Sequence, residues 1–286
     1  MGIIAASRLR DFNPNDFIIE VDSGSNRDFL ISTSGSGYLY DALTNDGQSI
    51  SGNTGDLNIT FPSFNTNYVI YIRGVFPQFF ESNRILDIRN FGIYGNNSTT
   101  QLRAFKGNGN LEITANDLPN FQNVTNFKFF LRSAGLISCP LFDTSSGTNF
   151  YDAFSGNLFD TFPLIDTSNG TYFRGTWAYN DNLNNFPLLD VKKATNMQYC
   201  WVNNFSLSNF PSNFFDGCNN TNFNGSFEGT NLTQQSIDGI LVSINSNNTI
   251  NGKFTQTGGS APSTTGEAAI TAMRNRGWTV AVTGGF

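Results

Sequence analysis

The sequence predicts a mainly β fold in three parts: an antiparallel β-sandwich, a solenoid of stacked turns, and a small α/β cap. Two observations lead to this expectation. Short apolar runs alternate with turn residues over positions 17–74, which is typical of short antiparallel strands. Three similar lines then start at Pro140, Pro163 and Pro187, so the spacing between their starts is nearly constant. A period of this length indicates stacked structural repeats.

The first two segments of the chain are assigned from their apolar runs. Residues 1–15 are expected to be a leader or attachment segment. The apolar run that contains Ile3 and Ile4 is too short for a signal peptide or a membrane span. We therefore expect neither of these, and no membrane insertion. Residues 16–76 are assigned to the β-sandwich. Its predicted strands lie at 17–21, 29–33, 38–43, 57–61 and 68–74, and Asn45, Asp46 and Gly47 form a predicted hairpin turn.

Residues 77–245 are assigned to the repeat array. A Thr-Asn-Phe triplet or a close variant recurs from Thr125 to Thr221, and a large apolar residue follows the third triplet position by four. Both positions are expected to be buried in every turn, since one turn alone cannot bury enough apolar surface to fold. The ten predicted core residues are Phe127, Leu131, Phe150, Phe154, Phe173, Trp177, Met197, Trp201, Phe223 and Phe227.

Residues 246–286 are assigned to the cap, a helix followed by a strand. The array itself is expected to end in a helix that starts near Thr233, because Ile237, Ile240 and Ile244 share one helical stripe. A second helix is predicted from a capping box formed by Thr264 and Glu267. A closing strand is expected at 278–282.

The composition argues against several function classes. The chain has no His, which is the commonest general base and metal ligand, so we expect no catalytic residue, no metal site and no cofactor. The 16 basic residues form no run in a chain of net charge −6, so nucleic acid is not an expected partner. Cys139, Cys200 and Cys218 show no metal-binding or disulfide spacing and are expected to be buried, inert thiols.

Two sets of side chains are candidates for binding. Tyr172, Tyr179 and Tyr199 lie off the repeated core positions and are the candidate ligand or host contacts. The aspartates at 143, 166 and 190 share one repeat position. They could form a cation or sugar site, but the favoured interpretation is that each caps its own turn through an Asx hydrogen bond.

The segment from Asp190 to Trp201 resembles the BspA-like leucine-rich repeats of bacterial surface proteins, and Asp143-Thr144-Ser145 matches the opening of that repeat. The resemblance covers residues 77–245 and implies a leucine-rich-repeat-like solenoid. The preceding strands resemble a PKD-like sandwich, although the usual W-G-D-G turn is replaced by 44–47. The opening at 2–8 resembles the start of tailed-phage virion proteins.

These resemblances imply a non-enzymatic structural protein of a phage virion, a tail fibre or tail-tip component that recognises the host cell surface. The alternatives are a capsid or tail decoration protein that binds other virion subunits, and a bacterial surface adhesin. The implied location is the extracellular virion particle. The expected partners are other virion proteins, further copies of the chain in a homo-oligomer, and a glycan or protein of the host surface.

Overall fold

The computed structural model describes residues 13–81 and 83–285. The leader predicted at 1–15 therefore lies outside the described residues except for its last three positions, and the motif at 2–8 lies wholly outside them. The strands are β1 Phe17–Asp22, β2 Asp28–Ile31, β3 Leu39–Thr44, β4 Ser49–Asn53, β5 Leu57–Thr60, β6 Asn67–Val75, β7 Ile85–Asn90, β8 Glu112–Ile113, β9 Asn222–Phe227, β10 Lys253–Gln256 and β11 Thr279–Ala281. The helices are α1 Gln234–Ser246 and α2 Thr264–Asn275.

Two sheets occupy the N-terminal part. The larger has six strands in the order β4-β3-β6-β1-β7-β8, and all its pairs are antiparallel except β7 with β8. The smaller consists of β2 and β5. Apolar residues alternate along β6, where Ile70 and Ile72 are fully buried, and Ile70 pairs with Ile19 of β1. This alternation turns one face of each strand towards the hydrophobic core.

Between β8 and β9 successive turns of the chain hydrogen-bond to one another in parallel. The amides of Phe127, Phe129 and Leu131 each donate to a carbonyl of the following turn, at N–O distances of 2.8 Å. Amides within residues 101–107, 150–156, 173–179 and 197–203 donate similar bonds, each to a carbonyl of the next turn. We call this set of bonds the turn ladder. Positive φ angles at Phe129 and Ser133 interrupt the extended conformation, so only isolated bridges such as that of Asn126 with Asn149 form.

The interior of these turns is aromatic. All ten residues expected in the repeat core have no exposed surface. The rings of Phe127 and Phe150 stack at 5.4 Å between centroids, and those of Phe150 and Phe173 at 5.3 Å. Equivalent positions of adjacent turns thus lie one above another, which explains why the sequence repeats the same apolar residue types.

A column of buried asparagines accompanies the aromatic core. The Oδ1 of Asn180 accepts from the amide of Asn157 at 3.0 Å, and the Oδ1 of Asn204 accepts from the amide of Asn180 at 2.7 Å. The side-chain amide of Asn180 donates to the carbonyl of Trp177 at 2.8 Å. These bonds satisfy backbone groups that the turn would otherwise bury unpaired.

The C-terminal part is a βαβαβ unit with the parallel sheet order β11-β10-β9. α1 starts next to Thr233, near the expected position, and Thr233 is its N-cap, whose hydroxyl accepts from the amide of Ser236. The predicted capping box at Thr264 and Glu267 is wrong, because Ser263 is the N-cap of α2 and accepts from the amide of Thr265. Neither helix is both long enough and apolar enough to cross a bilayer, in the part of the chain that the structure describes.

The predicted fold class, an antiparallel β-sandwich, a leucine-rich-repeat-like solenoid and a small α/β cap, is wrong beyond its mainly β character. Strands make up 23% of the structure and helices 9%, and the strands form three sheets. The large sheet is mixed rather than antiparallel. Among the described residues, 114–221 contain no strand longer than a single bridge, so the continuous parallel sheet of a solenoid is missing. The C-terminal sheet includes β9, which precedes the predicted cap.

The domain boundaries near 76 and 245 remain predictions. One hydrophobic cluster extends from Phe17 to Val282 and includes buried residues on both sides of each boundary. The core is therefore shared by the three segments that the sequence distinguishes.

Candidate functional site: a cation–aromatic surface

The three candidate tyrosines occupy different environments. Tyr172 packs edge-on against Tyr151 with ring centroids 6.0 Å apart, and the guanidinium of Arg174 lies over the ring of Tyr199 at 5.0 Å. Tyr179 is 56% exposed. Among the described residues, no ring contact joins Tyr179 to the other two. The structure therefore places Tyr172 and Tyr199 beside charged and aromatic neighbours, and Tyr179 apart from them.

The aspartates at the shared repeat position make local hydrogen bonds. The Oδ1 of Asp143, Asp166 and Asp190 each accepts from the amide two residues later, at 3.1, 2.9 and 3.0 Å. The hydroxyl and amide of Ser168 lower the pKa of Asp166 below its ordinary value. These are Asx turns. Over the described ranges, no group of three His, Cys, Asp or Glu side chains could hold a metal ion.

Phe129 is the centre of a cluster of positive charges. Four cations lie close to its ring, and the ring itself is only 9% exposed. The distances to the ring centroid are 5.4 Å for Arg103, 5.9 Å for Lys106, 5.1 Å for Lys128 and 5.3 Å for Arg132. The negative face of an aromatic ring attracts a cation within about 6 Å. Phe129 thus holds several like charges together that would otherwise repel.

The cluster extends along the turns towards Tyr199. Lys128 also lies over the ring of Tyr151 at 5.0 Å, and the amide of Asp152 donates to the carbonyl of Arg174 at 3.0 Å. Arg174 then covers Tyr199. We define the cation–aromatic surface by the residues of these contacts, which are Arg103, Lys106, Lys128, Phe129, Arg132, Tyr151, Arg174 and Tyr199.

Two carboxylates lie within this surface. Glu81 accepts from Arg103 at 2.8 Å and from Lys106 at 2.9 Å, and these contacts lower its pKa, the bond from Lys106 most of all. Asp152 lies 3.3 Å from Arg132. Burial raises the pKa of Asp152, although Arg132 and its neighbouring cations oppose the shift. Five cations against two carboxylates leave an excess of three positive charges, in a chain whose net charge is −6.

Sequence reasoning missed this surface because its cations are far apart along the chain. Lys128, Tyr151 and Arg174 follow one another at equal intervals that match the repeat period. Alignment of the triplets that start at 125, 148 and 171 would have placed all three side chains in one column. The absence of a basic run in the sequence therefore does not prevent a cluster of cations in the folded chain.

A second regular feature is a row of exposed leucines, also missed. Leu118, Leu141, Leu164 and Leu188 recur with the period of the repeat and are 50%, 58%, 65% and 47% exposed. Isolated exposed leucines are ordinary on protein surfaces. Four at one position of successive turns form an apolar row instead.

Comparison of the chain with known protein families, with curated proteins and with solved structures gives no match.

Proposed function

We propose that this chain is a non-enzymatic structural protein of a tailed-phage virion, a tail fibre or tail-tip component that binds the host cell surface. The cation–aromatic surface is the observation that carries the proposal. It presents an excess of positive charge on adjacent hydrogen-bonded turns, includes Tyr199 and adjoins Tyr172. Bacterial surfaces carry anionic polymers, and charge complementarity accelerates association with such a target.

The rigid backbone of the turn ladder supports the same proposal. Ladder bonds join the backbones of Phe129 and Tyr151 and those of Asp152 and Arg174, and these turns pack on a buried aromatic core. A preorganised surface loses less conformational entropy when it binds. The chain contains no His, which supports binding rather than catalysis.

The proposal is tested by locating the protein and measuring its adsorption to cells. Antibody labelling of purified particles should mark tail ends, and the purified, fluorescently labelled protein should bind host cells. Tyr199→Ala should reduce this binding and Tyr179→Ala should not, because Tyr199 belongs to the cation–aromatic surface and Tyr179 does not. Labelling restricted to capsid faces, or absence from particles, would contradict the proposal.

The row of exposed leucines favours a second candidate, a decoration protein that binds other virion subunits. Burying four leucines would contribute about 1.5 kcal/mol or more for each side chain. Leu141→Ser with Leu164→Ser should then release the protein from particles while leaving its adsorption to cells unchanged. Retention in particles at the level of the unaltered protein would dismiss this candidate.

A further inference from the structure

The ion pairs within the cation–aromatic surface indicate which of its cations can bind an external anion. Arg103, Lys106 and Arg132 are close to carboxylates, either Glu81 or Asp152. Lys128 and Arg174 form no ion pair among the described residues, and both carry their charge over a tyrosine ring. Arg174 also donates to the neutral Oε1 of Gln198, so both cations lack a carboxylate partner and are the ones available to an external anion.

Lys128 and Arg174 belong to one column of the turn ladder. Phe129 donates to the carbonyl of Tyr151, and Asp152 donates to the carbonyl of Arg174, so Lys128 and Arg174 are two turns apart. Hydrogen-bonded neighbouring strands are spaced by about 4.8 Å, which separates the two positions by about 9.6 Å. Tyr151 lies between them on the intervening turn. The column therefore alternates cation, aromatic ring and cation.

This alternation fits a linear polymer better than a single small anion. A polysaccharide with an acidic sugar at every second position has its carboxylates at a similar separation, with a neutral sugar between them. The apolar face of a neutral sugar can pack on a tyrosine, while the flanking carboxylates meet Lys128 and Arg174.

Nucleic acid fits the same surface less well. Duplex DNA carries one charge per about 1.7 Å of its axis and would be strongly repelled by a chain of net charge −6. Single strands are held by stacking of bases on exposed aromatic faces. The ring of Phe129 is only 9% exposed and is covered by cations. A polymer of lower charge density is repelled less and needs only one partly exposed ring, which Tyr151 supplies.

We propose that the column of Lys128, Tyr151 and Arg174 binds a linear acidic polysaccharide, with Lys128 and Arg174 each contacting a carboxylate and Tyr151 contacting the sugar between them. This inference rests on the proposed function, because it names the surface polymer that the protein recognises. Asp152 acts against binding, since its carboxylate lies within the same field of cations.

The test uses the full chain and hyaluronan oligosaccharides as the probe, since these alternate acidic and neutral sugars. Binding measured by fluorescence anisotropy should fall at least tenfold in Lys128→Gln with Arg174→Gln. It should be unchanged in Lys193→Gln with Lys253→Gln, which removes the same charge from other positions. Asp152→Asn should bind more tightly. Circular dichroism and urea unfolding establish that each variant is folded.

Several results would overturn the inference. These are equal loss of binding in both double variants, equal affinity for neutral dextran, tighter binding of oligothymidylate, or no binding of hyaluronan at low salt. Adsorption to cells is measured in parallel to separate this inference from the proposed function. If cells bind the unaltered protein and all variants equally, the polysaccharide site is refuted and the proposed function stands. If cells bind neither the unaltered protein nor any variant, the proposed function is refuted.

Discussion

The indole rings of Trp177 and Trp201 stack with their centroids 5.3 Å apart and their planes within 12° of parallel. Both rings are fully buried, and neither Nε1 has a hydrogen-bond partner among the described residues. The tryptophans therefore contribute apolar contact area, and their polar atoms are a cost rather than a gain. Other turns place phenylalanine at this position, at Phe154 and Phe227.

Replacement of Trp177 should distinguish these two contributions. Trp177→Ala should lower the free energy of unfolding by about 3–5 kcal/mol, since it leaves a large cavity. Trp177→Phe should cost less than about 1.5 kcal/mol, because loss of the unpaired N–H offsets part of the lost volume. Urea unfolding measures both. Trp278→Phe is the matched control, since its Nε1 donates to the carbonyl of Thr249 at 2.9 Å. Equal costs of the Ala and Phe variants at Trp177 would contradict this account.

Asn180→Ala should destabilise the protein by about 1–3 kcal/mol, because it leaves the amide of Asn157 buried without a partner. The carbonyl of Trp177 loses one of its two donors and keeps the side-chain amide of Asn204. The exposed Asn182 lies two residues away, and its only side-chain bond to a described residue measures 3.5 Å. Asn182→Ala should change the unfolding free energy by less than about 0.5 kcal/mol. A comparable loss in the two variants, measured by urea unfolding, would refute the structural role of the asparagine column.

Glu81 and Asp152 should affect acid stability in opposite directions. The pKa of Glu81 is below its ordinary value of 4.5 in the folded protein, so its contribution is present above that value and is lost as the pH falls through the folded pKa. The pKa of Asp152 is above its ordinary value of 3.8, so ionisation opposes folding as the pH rises from that value through the folded pKa.

Glu81→Gln should therefore flatten the loss of stability on acidification, whereas Asp152→Asn should steepen it. Urea unfolding between about pH 3 and about pH 7 tests this pair, with unaltered protein as the reference. Changes of the same sign in the two variants would contradict the assignment.

The three thiols should be unreactive in the folded protein. Burial raises the pKa of Cys139 and of Cys200 far above the ordinary range, and raises that of Cys218 to about 11. Since the thiolate is the reactive form, a colorimetric disulfide reagent at about pH 8 should titrate none of them before unfolding. In denaturant it should titrate all 3 cysteines. Rapid reaction of any thiol in the native protein would show that its site opens easily.

The repeat period could be predicted from sequence because it is expressed in the most buried side chains. Phe150 and Phe173 fill equivalent positions, and their stacking requires residues of the same size at a constant interval. The helix start at Thr233 was predictable for a similar reason, since hydroxyl capping depends on local sequence alone. β4, by contrast, was missed, because Ser49–Asn53 contains a single apolar residue.

The sheet arrangement and the candidate site could not be predicted in the same way. The parallel pairing of β7 with β8 joins segments that are distant along the chain, and no local pattern specifies it. Positive φ angles at Phe129 and Tyr199 also have no sequence signal, since neither residue type favours that conformation. The cation–aromatic surface depends on this backbone, because it places Lys128 and Arg174 in one column.

Most hydrogen bonds of the turn ladder point in the same direction, so the array of turns has a net dipole. Four amides of each turn point towards the next turn, and they outnumber the reverse bonds made by residues such as Thr148. Peptide dipoles that point the same way add together, as they do in an α-helix. Here the positive end faces the C-terminal sheet, whereas in a helix it faces the N-terminus. Carbonyls of β9 accept the last bonds of the ladder, so the C-terminal sheet adjoins the end of the array where the positive ends of the peptide dipoles collect.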